Sequence, residues 1–192
     1  FSAGPCILPQ EVLEQASNAV LNFDNLDLSL VEISHRSESF VKVIEKARSL
    51  ALELLGLENK GYSALFLHGG ASSEFLLTPY NLMNKVDGNA AYMNTGTWSE
   101  KAIKEAKLFG KVNIVASSKD KNFSYIPKNI NIPKNVNYFH WTSNNTIYGT
   151  QMKSFPEYNG VTVCDMSSDI FSKKLDFSKF DLIYAGAQKN MG

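Results

Sequence analysis

The spacing of the apolar residues changes near residue 60. Before that point they recur every three or four residues, as on one face of a helix. This pattern predicts one helix that begins near Pro9, and a longer helix that follows Ser37 or Ser39 as N-cap and ends at Gly56. The apolar face of the first helix comprises Val12, Leu13, Ala16 and Val20. The apolar residues of the second helix are expected to lie in the core: Phe40, Val43, Ile44, Ala47, Leu50, Ala51 and Leu54.

After residue 60 the apolar residues form short runs, which predict strands that alternate with helices. A Lys-, Asn- and Pro-rich stretch at 117–135 is expected to be a long surface excursion. The alternation predicts an α/β fold, with a mostly parallel sheet flanked by helices and with ligands bound where the strands end. The predicted strands are 63–67, 90–93, 112–116, 136–140, 160–164 and 182–185, and the predicted helices run to Leu82 and over 98–109.

Composition narrows the class of protein. Hydrophobic residues make up 44% and charged residues 20%, which suits a globular protein, and the 19 basic residues equal the 19 acidic ones. There is thus no general basic field for nucleic acid or an anionic membrane, and no apolar run approaches the ~20 residues of a membrane span. Cys6 and Cys164 are far apart and lack metal-ligand spacing. We expect a cytoplasmic protein without nucleic-acid or membrane partners, and the abrupt ends suggest part of a longer polypeptide.

The segment 183–192 is the centre of the candidate chemistry. An apolar run that resembles a buried strand gives way to small residues, and Lys189 follows. Small residues allow close approach to a ligand, and a partly desolvated lysine can serve as an amine nucleophile. A surface lysine in a polar loop is the alternative.

Three further features lie at predicted strand ends. The turn Gly-Gly-Ala-Ser at 69–72 can bind a phosphate through backbone N–H groups at a helix start, or it can be a purely structural turn. Asp165 can point into the ligand crevice or cap the next turn. Trp98 can stack on a planar ring or pack in the core.

Two more segments carry polar groups suited to a ligand. Arg36, next to His35, can bind a carboxylate or phosphate with two hydrogen bonds, or it can pair with Glu32 or Glu38 on the surface. The segment 143–149, rich in Ser, Asn and Thr, can line the same crevice, although turns use these residues as well.

Taken together, these residues are the parts that a pyridoxal phosphate enzyme needs. Such an enzyme requires a Schiff-base lysine, a carboxylate at the pyridinium nitrogen and an anchor for the phosphate. The carboxylate keeps the ring nitrogen protonated so that the ring accepts electrons, and the displaced lysine can move the proton.

The sequence resembles the phosphoserine aminotransferase family, within class V of the fold-type I enzymes. The resemblance extends over the whole chain, and its motifs are Phe-Ser-Ala-Gly-Pro at 1–5, Glu-Ile-Ser-His-Arg at 32–36, His-Gly-Gly at 68–70, Trp98, Asn-Thr-Ile-Tyr-Gly at 145–149, Asp-Met-Ser-Ser at 165–168 and Tyr-Ala-Gly-Ala-Gln-Lys-Asn at 184–190. The resemblance implies an N-terminal arm at 1–10 and part of the cofactor-binding large domain at 11–192.

The resemblance also implies roles for individual residues. Lys189 corresponds to the Schiff-base lysine, Asp165 to the partner of the ring nitrogen and Trp98 to the stacking residue. The remaining contacts implied with pyridoxal 5′-phosphate are those of Ala71, Ser72, Thr146 and Gln188, and the implied substrate-anion site comprises Arg36 and His35. The implied enzyme is a homodimer that transfers an amino group from glutamate to 3-phosphohydroxypyruvate, or to a related phosphorylated 2-oxo acid in pyridoxine synthesis.

Some features depart from the family pattern. Ala71-Ser72 stands where many members have Gly-Arg, and Ala3 where many have serine. Family members are about twice as long, so the chain is not expected to be active alone. Another class V enzyme such as a cysteine desulfurase would need a mobile nucleophilic cysteine, which neither Cys6 nor Cys164 resembles. A non-catalytic remnant that binds the cofactor would be expected to lack Lys189 or Asp165.

Overall fold

The computed structural model describes residues 4–192, so the predicted arm is only partly covered and Ala3 lies outside the described residues. The chain divides into two compact units. One comprises residues 6–66, 175–177 and 192, and the other comprises residues 4–5, 67–174 and 178–191. Among the described residues, no helix is long and apolar enough to cross a membrane.

The unit of residues 6–66 contains two helices, α1 (Gln10–Leu21) and α2 (Glu38–Leu55), and a 3-10 turn at Phe23–Asn25. Ser37 caps α2 because its Oγ accepts a hydrogen bond from the N–H of Phe40 at 3.4 Å. Gly56 ends α2 in the left-handed conformation, with φ 63°. Both predicted ends of this helix are therefore confirmed.

The prediction that the apolar residues of α2 lie in the core is wrong. No residue of α2 is buried, and Val43, Leu50 and Leu54 are 49%, 46% and 66% exposed. A unit with two helices has too small an interior to bury the apolar faces of both.

The second unit contains two helices, α3 (Gly70–Leu82) and α4 (Thr97–Ala106), and a 3-10 turn at Lys119–Lys121. Its strands are β1 (Asn89–Asn94), β2 (Lys111–Ser117), β3 (Tyr138–Thr142), β4 (Asn144–Asn145), β5 (Thr150–Gln151), β6 (Thr162–Asp165) and β7 (Leu182–Tyr184). Five of them form a parallel sheet with the order β2-β1-β3-β6-β7. A short antiparallel pair, β4 with β5, extends from the end of β3.

The sheet is apolar on both faces, as a parallel sheet covered on both sides requires. One face packs against α3 and α4, where Phe75 meets the ring of Tyr184 edge-on at 6.1 Å between centroids. On the other face Trp141 packs against Phe155 and Phe180. The predicted α/β class and parallel sheet are confirmed.

The predicted strand at 63–67 is wrong. Within residues 4–192 this run pairs with none of the sheet strands, and Leu65 is 69% exposed. An apolar run forms a strand only where a neighbouring strand satisfies its backbone groups, and sequence spacing does not reveal that neighbour. Of the other predicted strands, those at 136–140 and 160–164 begin and end one or two residues later than predicted.

Candidate active site

The predicted cofactor-binding residues lie in five segments of the second unit. Each segment either lies at or follows the carboxyl end of a strand, or forms the first turn of a helix. They carry Ala71 and Ser72 at the start of α3, Trp98 at the start of α4, Thr146 after β4, Asp165 at the end of β6 and Lys189 after β7. Parallel strands end at one edge of their sheet, so this edge gathers groups that are distant in sequence.

Lys189 lies in a turn five residues after the end of β7. Its backbone N–H donates to the carbonyl of Gly186 at 3.3 Å, and its side chain is half-buried. The Nζ atom lies 5.4 Å from the centroid of the Trp98 ring. The structure thus brings the predicted amine and the predicted stacking residue together.

Asp165 is 3% exposed and lies in register with Thr142 on one side and Tyr184 on the other. Its Oδ1 accepts a hydrogen bond from the N–H of Ser167 at 2.9 Å. Burial raises the pKa of Asp165 above the usual range of a carboxyl group, although hydrogen bonding from Ser167 and the charge of Lys189 oppose this shift. The carboxyl group does cap the following turn, and it also interacts electrostatically with the predicted amine. Its role in ligand binding stays a prediction.

Trp98 is half-buried in the first turn of α4, and its Nε1 has no hydrogen-bond partner among the described residues. The turn before it is fixed by Ser99, whose Oγ accepts from the N–H groups of Thr95 and Gly96 at 2.9 and 3.0 Å. Lys101 Nζ also lies over the indole, 4.7 Å from its centroid. The position of the indole is therefore set by the backbone turn that precedes it. The ring contacts the ammonium groups of Lys101 and Lys189, and it also packs against the core.

The start of α3 has the geometry of an anion site. Gly69 and Gly70 have φ of 98° and 62°, and no side chain caps the helix. A Cβ atom on Gly69 would lie 2.0 Å from Ser73 Oγ, so glycine is required here for space as well as for conformation. The backbone N–H groups of Ala71 and Ser72 lie in the first helical turn, where no intrahelical acceptor exists for them.

Thr146 and Gln188 are the two remaining residues that are expected to contact the cofactor. Thr146 is half-buried in the loop between β4 and β5. The preceding Asn145 is buried, and its Oδ1 accepts from Thr95 Oγ1 at 3.3 Å, which links the loop to the segment that carries Trp98. Gln188 is exposed beside Lys189, with its amide close to Gly186.

Arg36 and His35 belong to the unit of residues 6–66 and are exposed in the turn before α2. The alternative ion pairs of Arg36 with Glu32 or Glu38 do not form. Glu38 pairs with Lys42 at 2.8 Å, and Glu32 accepts a hydrogen bond from the N–H of Ser29 at 2.8 Å. In the part of the chain that the structure describes, the guanidinium of Arg36 has no carboxylate within ion-pair distance.

Sequence reasoning gave no role to two residues that organise this edge. Ser99 holds the start of α4, because its Oγ accepts from the N–H of Gly96, the residue before the helix. Gly-Thr-Trp-Ser lacks the Ser/Thr and Glu/Gln of a capping box, so it carries no sequence signal of this role. Asp169 is buried and accepts hydrogen bonds from Ser143 Oγ and from Gln151 Nε2. The sequence offered no signal for Asp169, because its partners come from distant segments.

The whole chain, residues 1–192, matches the model of the family described as aminotransferase class-V. The chain therefore belongs to the class-V aminotransferase family. It is 69% identical over 192 residues to the phosphoserine aminotransferase of Flavobacterium psychrophilum, covering 100% of this chain and 54% of that protein. The chain thus spans about half the length of the curated relatives it matches.

Two solved structures of phosphoserine aminotransferases agree with this assignment. One, solved in a study of radiation damage to its Schiff base, is 49% identical with a TM-score of 0.95, and the match covers 100% of this chain and 54% of that one. The other, from Trichomonas vaginalis with bound pyridoxal phosphate, is 32% identical with a TM-score of 0.90 over the same shares. The family resemblance and the fold class expected from the sequence are confirmed.

Proposed function

We propose that the whole protein that carries this chain is a phosphoserine aminotransferase. It transfers an amino group from L-glutamate to 3-phosphohydroxypyruvate with pyridoxal 5′-phosphate as cofactor. The observation that carries the proposal is the convergence of the Lys189 amine, the Trp98 ring and the buried Asp165 carboxyl group at one edge of the sheet. The names of the relatives, one of which binds pyridoxal phosphate, support it.

The groups at the sheet edge suit this cofactor. When bound, it supplies an electron-accepting ring that stabilises negative charge at the substrate α-carbon. The backbone N–H groups of Ala71 and Ser72, with Gln188, would hold its phosphate, and Thr146 would add a further contact. The unpartnered Trp98 Nε1 and the face of its indole fit a polar aromatic ring beside them.

Two side chains would handle protons. The ionised form of Asp165 would accept a hydrogen bond from the ring nitrogen and keep the proton of that nitrogen in place. Lys189 Nζ would bind the cofactor aldehyde and would move a proton at the substrate α-carbon. Burial of Asp165 excludes water from its carboxyl group and strengthens its electrostatic interactions.

Arg36, with His35 beside it, is the proposed site for the substrate anion. Its guanidinium has no ion pair among the described residues, so all its donors remain for a carboxylate or phosphate. Arg48 is the only other arginine in the chain and already pairs with Glu45 at 2.6 Å. The two arginines therefore form a matched pair for mutation.

A cysteine desulfurase is not favoured. Cys164 is fully buried in β6, and burial raises the pKa of its thiol well above the usual range, so it cannot serve as a mobile nucleophile. A cytoplasmic location, a homodimer, the absence of nucleic-acid and membrane partners, and the division into an arm at 1–10 and a cofactor-binding domain from 11 onward remain predictions. The pyridoxine-pathway substrate also remains a prediction.

The test uses the whole protein with pyridoxal phosphate and glutamate. The value of kcat/KM for phosphohydroxypyruvate should exceed that for unphosphorylated hydroxypyruvate on the order of 100-fold, since each hydrogen bond to a charged group contributes about 1.5–3 kcal/mol. Arg36→Ala should raise KM for the anionic substrates by about tenfold or more, whereas Arg48→Ala should behave like wild type. Equal use of the two oxo acids would contradict the proposed substrate.

A further inference from the structure

The turn that carries Lys189 is attached to the loop after Asp165 by the neighbouring residue, Asn190. The Nδ2 atom of Asn190 donates to the carbonyl oxygen of Ile170 at 2.7 Å. The backbone bond of Lys189 itself, to Gly186, is 3.3 Å long and thus weaker. Of these two hydrogen bonds, the one donated by the Asn190 side chain is therefore the shorter.

The acceptor of this bond is firmly placed. Ile170 is 4% exposed, and its N–H donates to the carbonyl of Met166 at 3.0 Å. Met166 in turn donates its N–H to the carbonyl of Tyr184 at 2.9 Å, so the loop is attached to the end of β7. The carbonyl of Ile170 thus holds a fixed position relative to Asp165, five residues earlier in the chain.

The hydrogen bond closes a ring of backbone segments. From Asp165 the chain leads through the 166–170 loop to the carbonyl of Ile170, across to Asn190 and back to Lys189. Without it, the turn at 187–191 would be joined to the sheet mainly through its own short connection from β7. A lysine side chain has four rotatable bonds, so the position of its amine depends on a fixed backbone.

We propose that Asn190 is a positioning residue that fixes the Lys189 amine relative to the Asp165 carboxyl group. The proposal rests on the proposed function, because it concerns the delivery of that amine to the cofactor and substrate. A displacement of about 1 Å in a reacting group can cost on the order of 100-fold in rate. Asn190 itself is exposed and contributes no apolar burial, so its removal should change kinetics more than stability.

The alternative is that asparagine serves here only as a good turn residue. A turn former would affect folding and leave the reactivity of the neighbouring amine unchanged. The two roles are separated by one variant that keeps the shape but removes the donor and by another that keeps the donor but lengthens the side chain. Asn190→Asp removes both N–H donors and places a carboxylate against a carbonyl, whereas Asn190→Gln keeps the amide.

The experiment uses the whole protein and a matched control, Asn81→Ala. Asn81 Nδ2 donates to the carbonyl of Leu77 at 2.8 Å, which is the same kind of bond, but both residues lie within α3. In Asn190→Ala and Asn190→Asp, the apoprotein should develop its visible absorbance band with pyridoxal phosphate about tenfold more slowly. The value of kcat should fall by about 10- to 100-fold, with KM for glutamate within about threefold of wild type.

A cofactor-free readout completes the test. The amide of Lys189 in the apoprotein should exchange its hydrogen about 3- to 10-fold faster in Asn190→Ala and Asn190→Asp than in wild type. Asn190→Gln should recover part of the band-formation rate, and Asn81→Ala should match wild type in every measurement.

Wild-type rates of band formation, turnover and exchange in both Asn190 variants would overturn the inference. So would a loss of activity in proportion to a loss of folded protein. A wild-type protein that forms no band with pyridoxal phosphate would refute the proposed function. The exchange data would then still decide whether Asn190 fixes the turn.

Discussion

The Lys189 amine lies 5.4 Å from the centre of the Trp98 indole, within the distance at which an aromatic face attracts a cation. The same face can stack a planar heterocycle. The two residues are distant in sequence, and they border one space in which an amine and a stacked ring could meet. This distance supports the proposal that both residues belong to one site.

Replacement of Trp98 tests this shared space. Trp98→Ala should weaken pyridoxal phosphate binding by about 2- to 12-fold, because stacked aromatic pairs contribute about 0.5–1.5 kcal/mol beyond burial. Trp98→Phe should keep most of the affinity. The dissociation constant follows from absorbance titration of the apoprotein. Tyr125→Ala, which removes a comparable surface contact with Lys121 at 5.9 Å, should leave it unchanged. Equal affinities for the three variants would contradict a stacking role.

The buried carboxyl group of Asp165 should reduce the stability of the apoprotein. Burial raises its pKa, so the ionised form is destabilised in the folded state, and the effect grows as the pH rises through that pKa. Asp165→Asn keeps an acceptor for the Ser167 N–H and removes the charge. We expect a higher free energy of unfolding for apo Asp165→Asn at pH 8, measured by urea denaturation, together with a kcat lower on the order of 100-fold.

Asp169→Asn provides the contrast. Asp169 is also buried, but it accepts hydrogen bonds from two side chains, those of Ser143 and Gln151. Its replacement should lower the free energy of unfolding, because an amide nitrogen would face one of these donors. If Asp165→Asn also lowered the free energy of unfolding, the assignment of Asp165 as a destabilising carboxyl group would be wrong.

His140 should make the protein sensitive to acid. The side chain is fully buried, stacks on Tyr92 and bonds Tyr184 Oη through Nε2 at 2.8 Å. Burial lowers the pKa of His140 to about 3, whereas the unfolded chain titrates near 6.5. The unfolded state therefore binds the proton first, and stability is lost as the pH falls below about 6.5. From pH 7 to pH 5 this loss should be about 2 kcal/mol.

Matched histidine variants isolate that contribution. His140→Gln keeps a polar partner for Tyr184 without a titrating group, so its unfolding free energy should depend less steeply on pH than that of wild type. His35→Gln removes an exposed histidine and should leave the slope unchanged. The measurement is urea denaturation between pH 7 and pH 5. Parallel slopes for wild type and His140→Gln would show that His140 is not buried in neutral form.

Much of the second unit was predictable from the sequence. The alternation of apolar runs with polar turns located α3 and α4, although α4 ends three residues before its predicted end. Short apolar runs located all five strands of the sheet to within two residues at each end. The strand predicted at 63–67 does not form, because local hydrophobicity does not reveal whether a partner strand exists. The antiparallel pair β4 and β5 was missed because two-residue strands carry no periodic signal.

The site was predictable as a set of residue types and only partly as an arrangement. The position of Lys189 beyond a strand indicated where the amine would lie, but its distance from Trp98 depends on how α4 packs on the sheet. The proposed role of Asn190 could not be predicted from the sequence, because its hydrogen-bond acceptor is a backbone carbonyl that carries no sequence signature. Contacts between a side chain and a distant backbone are determined by tertiary structure alone.

The central claim is that Lys189 is the amine that binds the cofactor. The most direct test incubates the whole protein with pyridoxal phosphate, reduces it with borohydride and maps the modified lysine by peptide mass spectrometry. The phosphopyridoxyl mass is expected on Lys189, and the visible absorbance band should be lost in Lys189→Ala. Modification of another lysine, or a band that persists in Lys189→Ala, would contradict the central claim.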